Sequence, residues 1–427
     1  MNELRSILSR FSSRPTARGA FSVLYPQRVQ QTVTLWNRCL PNVNPYYAVK
    51  CNPEPNFLNI LYDEGLGFDC ASQKELSVIS SLGRKASRII YANPCKSLRD
   101  IHTAKEVGSP CTVIDSEEEL QKLEGYEGGT LIRLAVSDTN SCMPFSTKFG
   151  TSLQNICKIG QKARSMNIDI KGVSFHIGSG GSSCIQKHCL AYTEAILAAR
   201  EAINLLQMDV GGWHRDTNRI DIGGGFLRSE DIFEEVSGAI QKTIQCVESV
   251  HRDNPTEWMA EPGRFMASDS FDFFVQVIGK KPGSPATGGG WHYTIDDSLY
   301  GQFSSILFDH ATPTWIRVKE QKQGQEHGRK RVKGTLFGRT CDSLDIIAHS
   351  DSMEELEVGD WLFFPNMGAY TRATASEFNG FPPPEVFVWP YSDLEIPWHI
   401  SSVHEALPKN VKYVSAASSR TFWDSVV

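Results

Sequence analysis

The sequence predicts an α/β protein in which a TIM-type (β/α)8 barrel is followed by a second, mostly β domain, and two features carry that reading. Eight short apolar runs of strand composition lie between Tyr46 and Glu261, and the stretches between them repeat Leu, Ile and Ala at helical spacing. After Arg264 the pattern changes, with Phe271, Phe273, Val275 and Val277 apolar at every second position. Eight consecutive strand–helix units fit a closed barrel better than an open, doubly wound sheet.

The first run, Tyr46-Tyr47-Ala48-Val49, ends at Lys50 and the turn Cys51-Asn52-Pro53. A lysine where a buried strand leaves the core is expected to be desolvated, which lowers its proton affinity and makes the amine a nucleophile towards aldehydes. A lone lysine there is more often a surface side chain. The later runs supply its company. They begin at Phe68, Ile89, Thr112, Leu131, Val173, Ile220 and Trp258, and their ends carry Asp69, Asn93, Arg133, His176, Gly223 to Gly225, Glu261 and Arg264. In a barrel of parallel strands these carboxyl ends share one face, where active sites collect.

The glycines indicate what that face binds. Asp221-Ile222-Gly223-Gly224-Gly225 follows a strand and lets backbone N–H groups close on an anion without Cβ obstruction. His176-Ile177-Gly178-Ser179-Gly180 adds a hydroxyl, and Arg264 adds a fork of donors. Neither run is a Gly-x-Gly-x-x-Gly fingerprint, which argues against a dinucleotide. A phosphate clamp beside a strand-end lysine points to pyridoxal 5'-phosphate, whose aldehyde forms a Schiff base with an amine. Glu261 then faces the pyridine nitrogen and keeps the ring cationic, while His176 stacks on its face.

The segments Pro45 to Asn52, Gly67 to Ser72, Ser174 to Gly180, Glu261 to Arg264, Cys341 to Asp345 and Asn366 to Thr371 resemble eukaryotic ornithine decarboxylase, a family of pyridoxal-phosphate enzymes with the alanine-racemase-like fold. The resemblance runs in order from about Phe21 to Phe381. It implies a cofactor-binding barrel over residues 26–265 and a β-rich domain built from 1–25 and 266–427. The reaction it implies is decarboxylation of a basic L-amino acid, with L-ornithine giving putrescine as the leading case. Decarboxylation of lysine or of a larger diamino acid in alkaloid-type metabolism is the alternative, and a non-catalytic regulatory homologue the third.

Residue by residue, the resemblance makes Lys50 the Schiff-base lysine, with Asp69 and Arg133 beside the cofactor. It makes His176 the stacking histidine, Glu261 the partner of the ring nitrogen, and Ser179, Gly225, Arg264 and Tyr370 the phosphate contacts. Phe308-Asp309-His310 resembles the family's Tyr-Asp-His, so Asp309 and Asp342 meet the distal amine of the substrate and Phe308 lies beside them. Cys341 resembles the thiol that returns a proton to the α-carbon. The resemblance also implies a homodimer in which Cys341 and Asp342 complete the partner's site, with Lys148 and Asp345 pairing across the interface. The chain departs from the family at Asp296-Asp297-Ser298, at Phe308, and at Arg339, which stands where a proline is usual. Ser343 also replaces a glycine or alanine, and these changes sit close to the residues that hold the substrate's far end, where the added guanidinium of Arg339 would welcome a second carboxylate or repel a simple diamine tail.

Composition excludes little. With 427 residues, 40% of them hydrophobic, the chain can bury two cores, and a net charge of -6 gives no bias towards nucleic acid or anionic membrane. No apolar run reaches the ~20 residues of a membrane helix. Eleven scattered cysteines without a Cys-x-x-Cys pair suggest reduced thiols in the cytoplasm and no metal site. Arg5, Arg10, Arg14 and Arg18 among serines have the composition of a transit peptide, whereas Leu4, Ile7, Leu8 and Phe11 fit a short packing helix. Gly328 to Lys333 reads as a solvated loop between strands, with a polyanion patch as the alternative, and the chain from about Pro382 to Val427 has no assigned role.

Overall fold

A computed structural model of the chain describes residues 2–14, 19–83, 88–137, 148–178, 184–209, 216–251, 254–283, 289–318, 329–389 and 409–412. The chain divides into two units, residues 29–266 and residues 1–28 with 267–427. Strand β1 (Phe21–Leu24) belongs to the second of them.

The first unit is a closed barrel of eight parallel strands: β2 (Val43–Ala48), β3 (Gly67–Cys70), β4 (Ile89–Tyr91), β5 (Cys111–Ile114), β6 (Gly129–Arg133), β7 (Ile170–Ser174), β8 (Arg219–Asp221) and β9 (Glu257–Ala260). Closure is made by β9 against β2, with Pro45 opposite Ala260. Ile90, Cys111, Val113, Leu131 and Met259 are buried together as one core cluster. Some of the intervening helices start where a side chain satisfies a free backbone donor. Glu54 accepts from the N–H of Phe57 at 2.7 Å ahead of Pro55, and Ser97 with Asp100 forms a reciprocal capping box. Trp36, Phe226, Phe233 and Phe265 pack ring against ring outside the strands.

The side chain of Lys96, in the loop after β4, is fully enclosed. Lys96 Nζ donates to Asn93 O at 2.9 Å and Val113 O at 2.6 Å and pairs with Glu119 at 3.0 Å, so all three of its donors are used. Glu119 also takes Lys122, and the cluster ties the loop after β4 to the helix after β5.

The second unit is built on β10 (Phe271–Pro282), β11 (Trp291–Ile295), β12 (Ile316–Arg317), β13 (Arg331–Phe337), β14 (Ile346–Glu354), β15 (Trp361–Phe364), β16 (Glu385–Val388) and β17 (Lys409–Lys412), joined by β1. Alternation along β10 sends Phe273, Val275 and Val277 into one core and Phe274 into another. The second of these also holds Phe21, Val23 and the Leu4, Ile7 and Phe11 face of the helix Asn2–Ser12. Arg28 locks this end of the unit by a double hydrogen bond to the buried Asp272, at 3.1 and 3.0 Å.

Two readings of the sequence change here. The stretch expected as a basic loop enters β13 at Arg331, and Arg329 beside it bonds to Asp360. The segment left without a role supplies β16, parallel to β1, and β17, antiparallel to β14. Lys96→Ala is expected to lower the unfolding free energy by about 3–5 kcal/mol in urea denaturation, because Glu119 loses a buried partner.

Candidate active site

Strand β2 ends at Ala48, and a single 3-10 turn over Val49–Cys51 places Lys50 just past it. Lys50 Nζ lies 2.6 Å from Asp69 Oδ2 on the neighbouring strand. The lysine side chain keeps 43% of its surface while that of Asp69 keeps none. The expected desolvated amine is therefore corrected: Lys50 is defined by an ion pair with a buried carboxylate, because the turn lifts it clear of the strand end.

Asp69 is one of three carboxylates at this end of the barrel. Asp221, at the end of β8, accepts from the N–H of Gly223 at 2.9 Å through Oδ1, and its Oδ2 is buried without a donor. Burial pushes Asp221 up to about 6. Glu261 stands one residue past β9, its N–H bonded to Gly223 O at 2.7 Å. Burial, and then the charges of Asp221 and Asp69, hold Glu261 well above the usual carboxylate range. Lys50 and Arg133 pull it the other way. Asp221 is the residue that sequence reasoning missed; it was visible as an acidic strand end but was read only as the start of the glycine run.

The glycine run forms a cradle that side chains would fill. A Cβ on Gly223 would fall 2.2 Å from Phe175 O, one on Gly224 2.9 Å from His176 Nε2, and one on Gly225 2.8 Å from Gly178 O. Gly223 and Gly225 have φ of 65° and 108°. His176 follows β7, and its Nδ1 accepts from the N–H of Gly178 at 3.1 Å, which leaves the proton of the neutral ring on Nε2. Burial, then Arg133 and Lys50, hold His176 well below its ordinary value, so the imidazole is neutral. Arg133 ends β6, with its guanidinium 5.0 Å from the Phe149 ring centre. Arg264 opens the helix Arg264–Ala267 directly after Glu261-Pro262-Gly263. Lys50, Asp69, Arg133, His176, Gly225 and Glu261 are thus brought together at one end of the barrel. Ser179 lies outside the described residues.

Cys341, Asp342, Phe308, Asp309 and Tyr370 belong to the second unit. Cys341 is exposed, with its N–H on Asn379 Oδ1 at 3.0 Å. Asp342 accepts from the N–H of Leu344 and from the hydroxyl of Tyr300, and both bonds hold it below the usual carboxylate range. Asp309 follows the exposed Phe308 at the end of a short helix, and Tyr370 sits in a left-handed turn at φ 54°. Asp345, read as a partner for Lys148 across an interface, is turned into its own unit. Its oxygens accept from the N–H of Leu299 at 2.8 Å and from the N–H and hydroxyl of Thr340 at 3.0 and 2.6 Å. Arg339 lies 4.1 Å from the Phe381 ring centre, and its charge acts on Asp296 and Asp297.

The family model of the pyridoxal-dependent decarboxylase pyridoxal-binding domain matches residues 27–268, over half of the chain and the whole barrel. The chain belongs to the pyridoxal-dependent decarboxylases. The chloroplastic ornithine decarboxylase of Nicotiana glauca is 36% identical over 84% of this chain and 81% of its own length. Antizyme inhibitor 2 of Xenopus laevis is 37% identical over 81% of this chain and 75% of its own. Among solved structures, the agmatine-bound arginine decarboxylase of Paramecium bursaria Chlorella virus has a TM-score of 0.80 at 31% identity, covering 91% of this chain and all of that one. The Vibrio vulnificus lysine/ornithine decarboxylase with putrescine has a TM-score of 0.78 at 29% identity, covering 91% of this chain and 98% of that one.

The cofactor of this decarboxylase family is pyridoxal phosphate, and the residues present fit it. Buried oxygens without a donor on Asp69 and Asp221, beside a raised Glu261, are what a cationic ring nitrogen neutralises. The backbone cradle at Gly223 to Gly225 suits a phosphate ester. Among the described residues no cluster of His, Cys, Asp and Glu could hold a metal ion, and no helix is long and apolar enough to cross a membrane.

In the second unit, burial pushes Asp297 up to about 7 and Asp296 up to about 6. A buried carboxyl whose folded pKa lies above its unfolded value stabilises the fold fully below the unfolded value of 3.8 and loses that contribution as pH rises through the folded one. The unfolding free energy should therefore fall between about pH 4 and pH 7. Asp297→Asn should flatten that slope in denaturation measured across the range, and an unchanged slope would contradict the assignment.

Proposed function

We propose that the chain decarboxylates a basic L-amino acid, with L-ornithine as the leading substrate and putrescine the product. The observation that supports the substrate class is Asp342, a carboxylate held below the usual carboxylate range by the Leu344 N–H and the Tyr300 hydroxyl and so suited to an ammonium. Each charged contact to such a group contributes about 1.5–3 kcal/mol, enough to select against apolar amino acids. Arg339 has its charge taken up by Asp296, Asp297 and the Phe381 face. That favours a simple diamino acid over one bearing a second carboxylate.

When bound, pyridoxal phosphate supplies the electron sink for the pair released as the carboxylate leaves. Lys50 anchors the cofactor through its amine, and Asp69 aims that amine. Glu261 would accept a hydrogen bond from the ring nitrogen, and neutral His176 would pack on the ring without opposing its charge. Gly225, Arg264, Ser179 and Tyr370 hold the phosphate, with Arg133 beside it. Asp309 and Asp342 bind the distal ammonium and Phe308 lines that end. Cys341 returns a proton to the α-carbon.

In this reading the working form is a homodimer, with Cys341 and Asp342 serving the partner's barrel. A regulatory role is suggested by the antizyme inhibitor relative. The complete set of Lys50, Asp69, His176 and Glu261 favours catalysis. The free cysteines among the described residues suit a reducing compartment such as the cytoplasm.

Carbon dioxide release after reconstitution with pyridoxal phosphate is expected to be fastest from ornithine. Release from arginine alone, or from no basic amino acid, would overturn the reading. Lys50→Ala should remove the absorbance band of the bound cofactor. Mixing inactive Lys50→Ala and Cys341→Ala chains should restore activity if sites are shared, and no recovery would exclude sharing.

A further inference from the structure

The carboxyl end of the barrel holds one more acid than the roles above employ. Cross-strand register places Arg133 opposite Ser174, Ser174 opposite Asp221, and Asp221 opposite Met259, two residues before Glu261. Residues two apart on a strand share a face, and Met259 lies in the barrel's core cluster. Asp221 and Glu261 are therefore carried on one side of two adjacent strands. Asp221 is entirely buried. One of its oxygens is fixed by Gly223 and the other is buried without a donor, while the Glu261 carboxyl is among the groups that act on it, an arrangement of two buried acids that favours a shared proton. The Ser174 hydroxyl beside it is also buried without a partner.

We propose that Asp221 is a positioning residue for the cofactor: paired with Glu261, it supplies a second negative charge once their shared proton has left, so that a cationic ring nitrogen is held more firmly than Glu261 alone would hold it. The inference rests on the pyridoxal-phosphate reading of the site. With the ring absent, two buried carboxyls close to each other retain a proton, and burial raises both. With a cationic ring nitrogen beside Glu261, the pair would give up that proton and both carboxylates would be charged. The groups around the pair are Lys50 after β2, Asp69 on β3, Arg133 on β6 and His176 after β7. Of these Asp69 is committed to Lys50 at 2.6 Å, and His176 is neutral. Asp221 is the acid left to act through Glu261.

The test compares the wild-type chain with Asp221→Asn and Asp221→Ala, each loaded with pyridoxal phosphate labelled with nitrogen-15 in the ring. Asn keeps an oxygen for the Gly223 N–H and removes only the charge. The ring-nitrogen chemical shift is followed against pH. In both variants the ring nitrogen should lose its proton at a pH lower by about one unit or more, a tenfold change in its protonation equilibrium. Turnover number should fall about tenfold, with a change in KM below twofold. If Asp221→Asn titrates like wild type, or if Asp221→Ala alone is impaired, the charge has no such role and the proposal fails. Thermal unfolding of the loaded proteins separates a lost fold from a lost charge. If the wild-type chain binds no cofactor, the site reading itself fails.

Discussion

Three carboxylates delivered by β3, β8 and β9 to one end of a closed barrel set the terms for everything around them. Buried carboxylates are costly unless paired, so the same end must supply cations and donors. Lys50 answers Asp69 at 2.6 Å, Gly223 donates to Asp221 at 2.9 Å, and Arg133 lowers both Asp221 and Glu261. Burial first, and then the charges of Asp221 and Asp69, leave Glu261 raised. A site poised in this way is completed by a cationic heterocycle carrying an anionic tail that the glycine cradle can accept.

The second unit is governed by a related constraint. Asp297 and Asp345 are buried beneath the turn that carries Cys341 and Asp342. Asp345 binds Leu299 and Thr340, while Asp297 takes the N–H of Gln302 and its carbonyl takes the N–H of Arg339. The loop bearing Tyr300 and the turn bearing Asp342 are knitted together by these acids, and Tyr300 closes the connection by donating to Asp342. The chain's departures at Asp296 and Arg339 fall within this network, where their charges oppose each other.

Much of this was legible before any coordinates. The eight runs were read because short apolar strands between helical repeats leave a strong local pattern, and Lys50, Asp69, Arg133, His176 and Glu261 were found because each closes such a run. Four things were not legible. The ion-paired state of Lys50 depends on a one-residue shift between strand end and turn. The place of Asp221 depends on barrel register, which sets Ser174 opposite it and Glu261 beside it. The inward turn of Asp345 depends on contacts with Leu299, distant in sequence. The strands β16 and β17 pair with β1 and β14 across long separations, so nothing local announced them.

The central claim is that the amine of Lys50, set against Asp69, is the covalent anchor for pyridoxal phosphate. Borohydride reduction of the loaded protein, followed by proteolysis and mass spectrometry, locates that attachment directly. The account predicts a pyridoxyl group on the peptide containing Lys50. A label on another lysine, or none on a protein that has bound the cofactor, would contradict it.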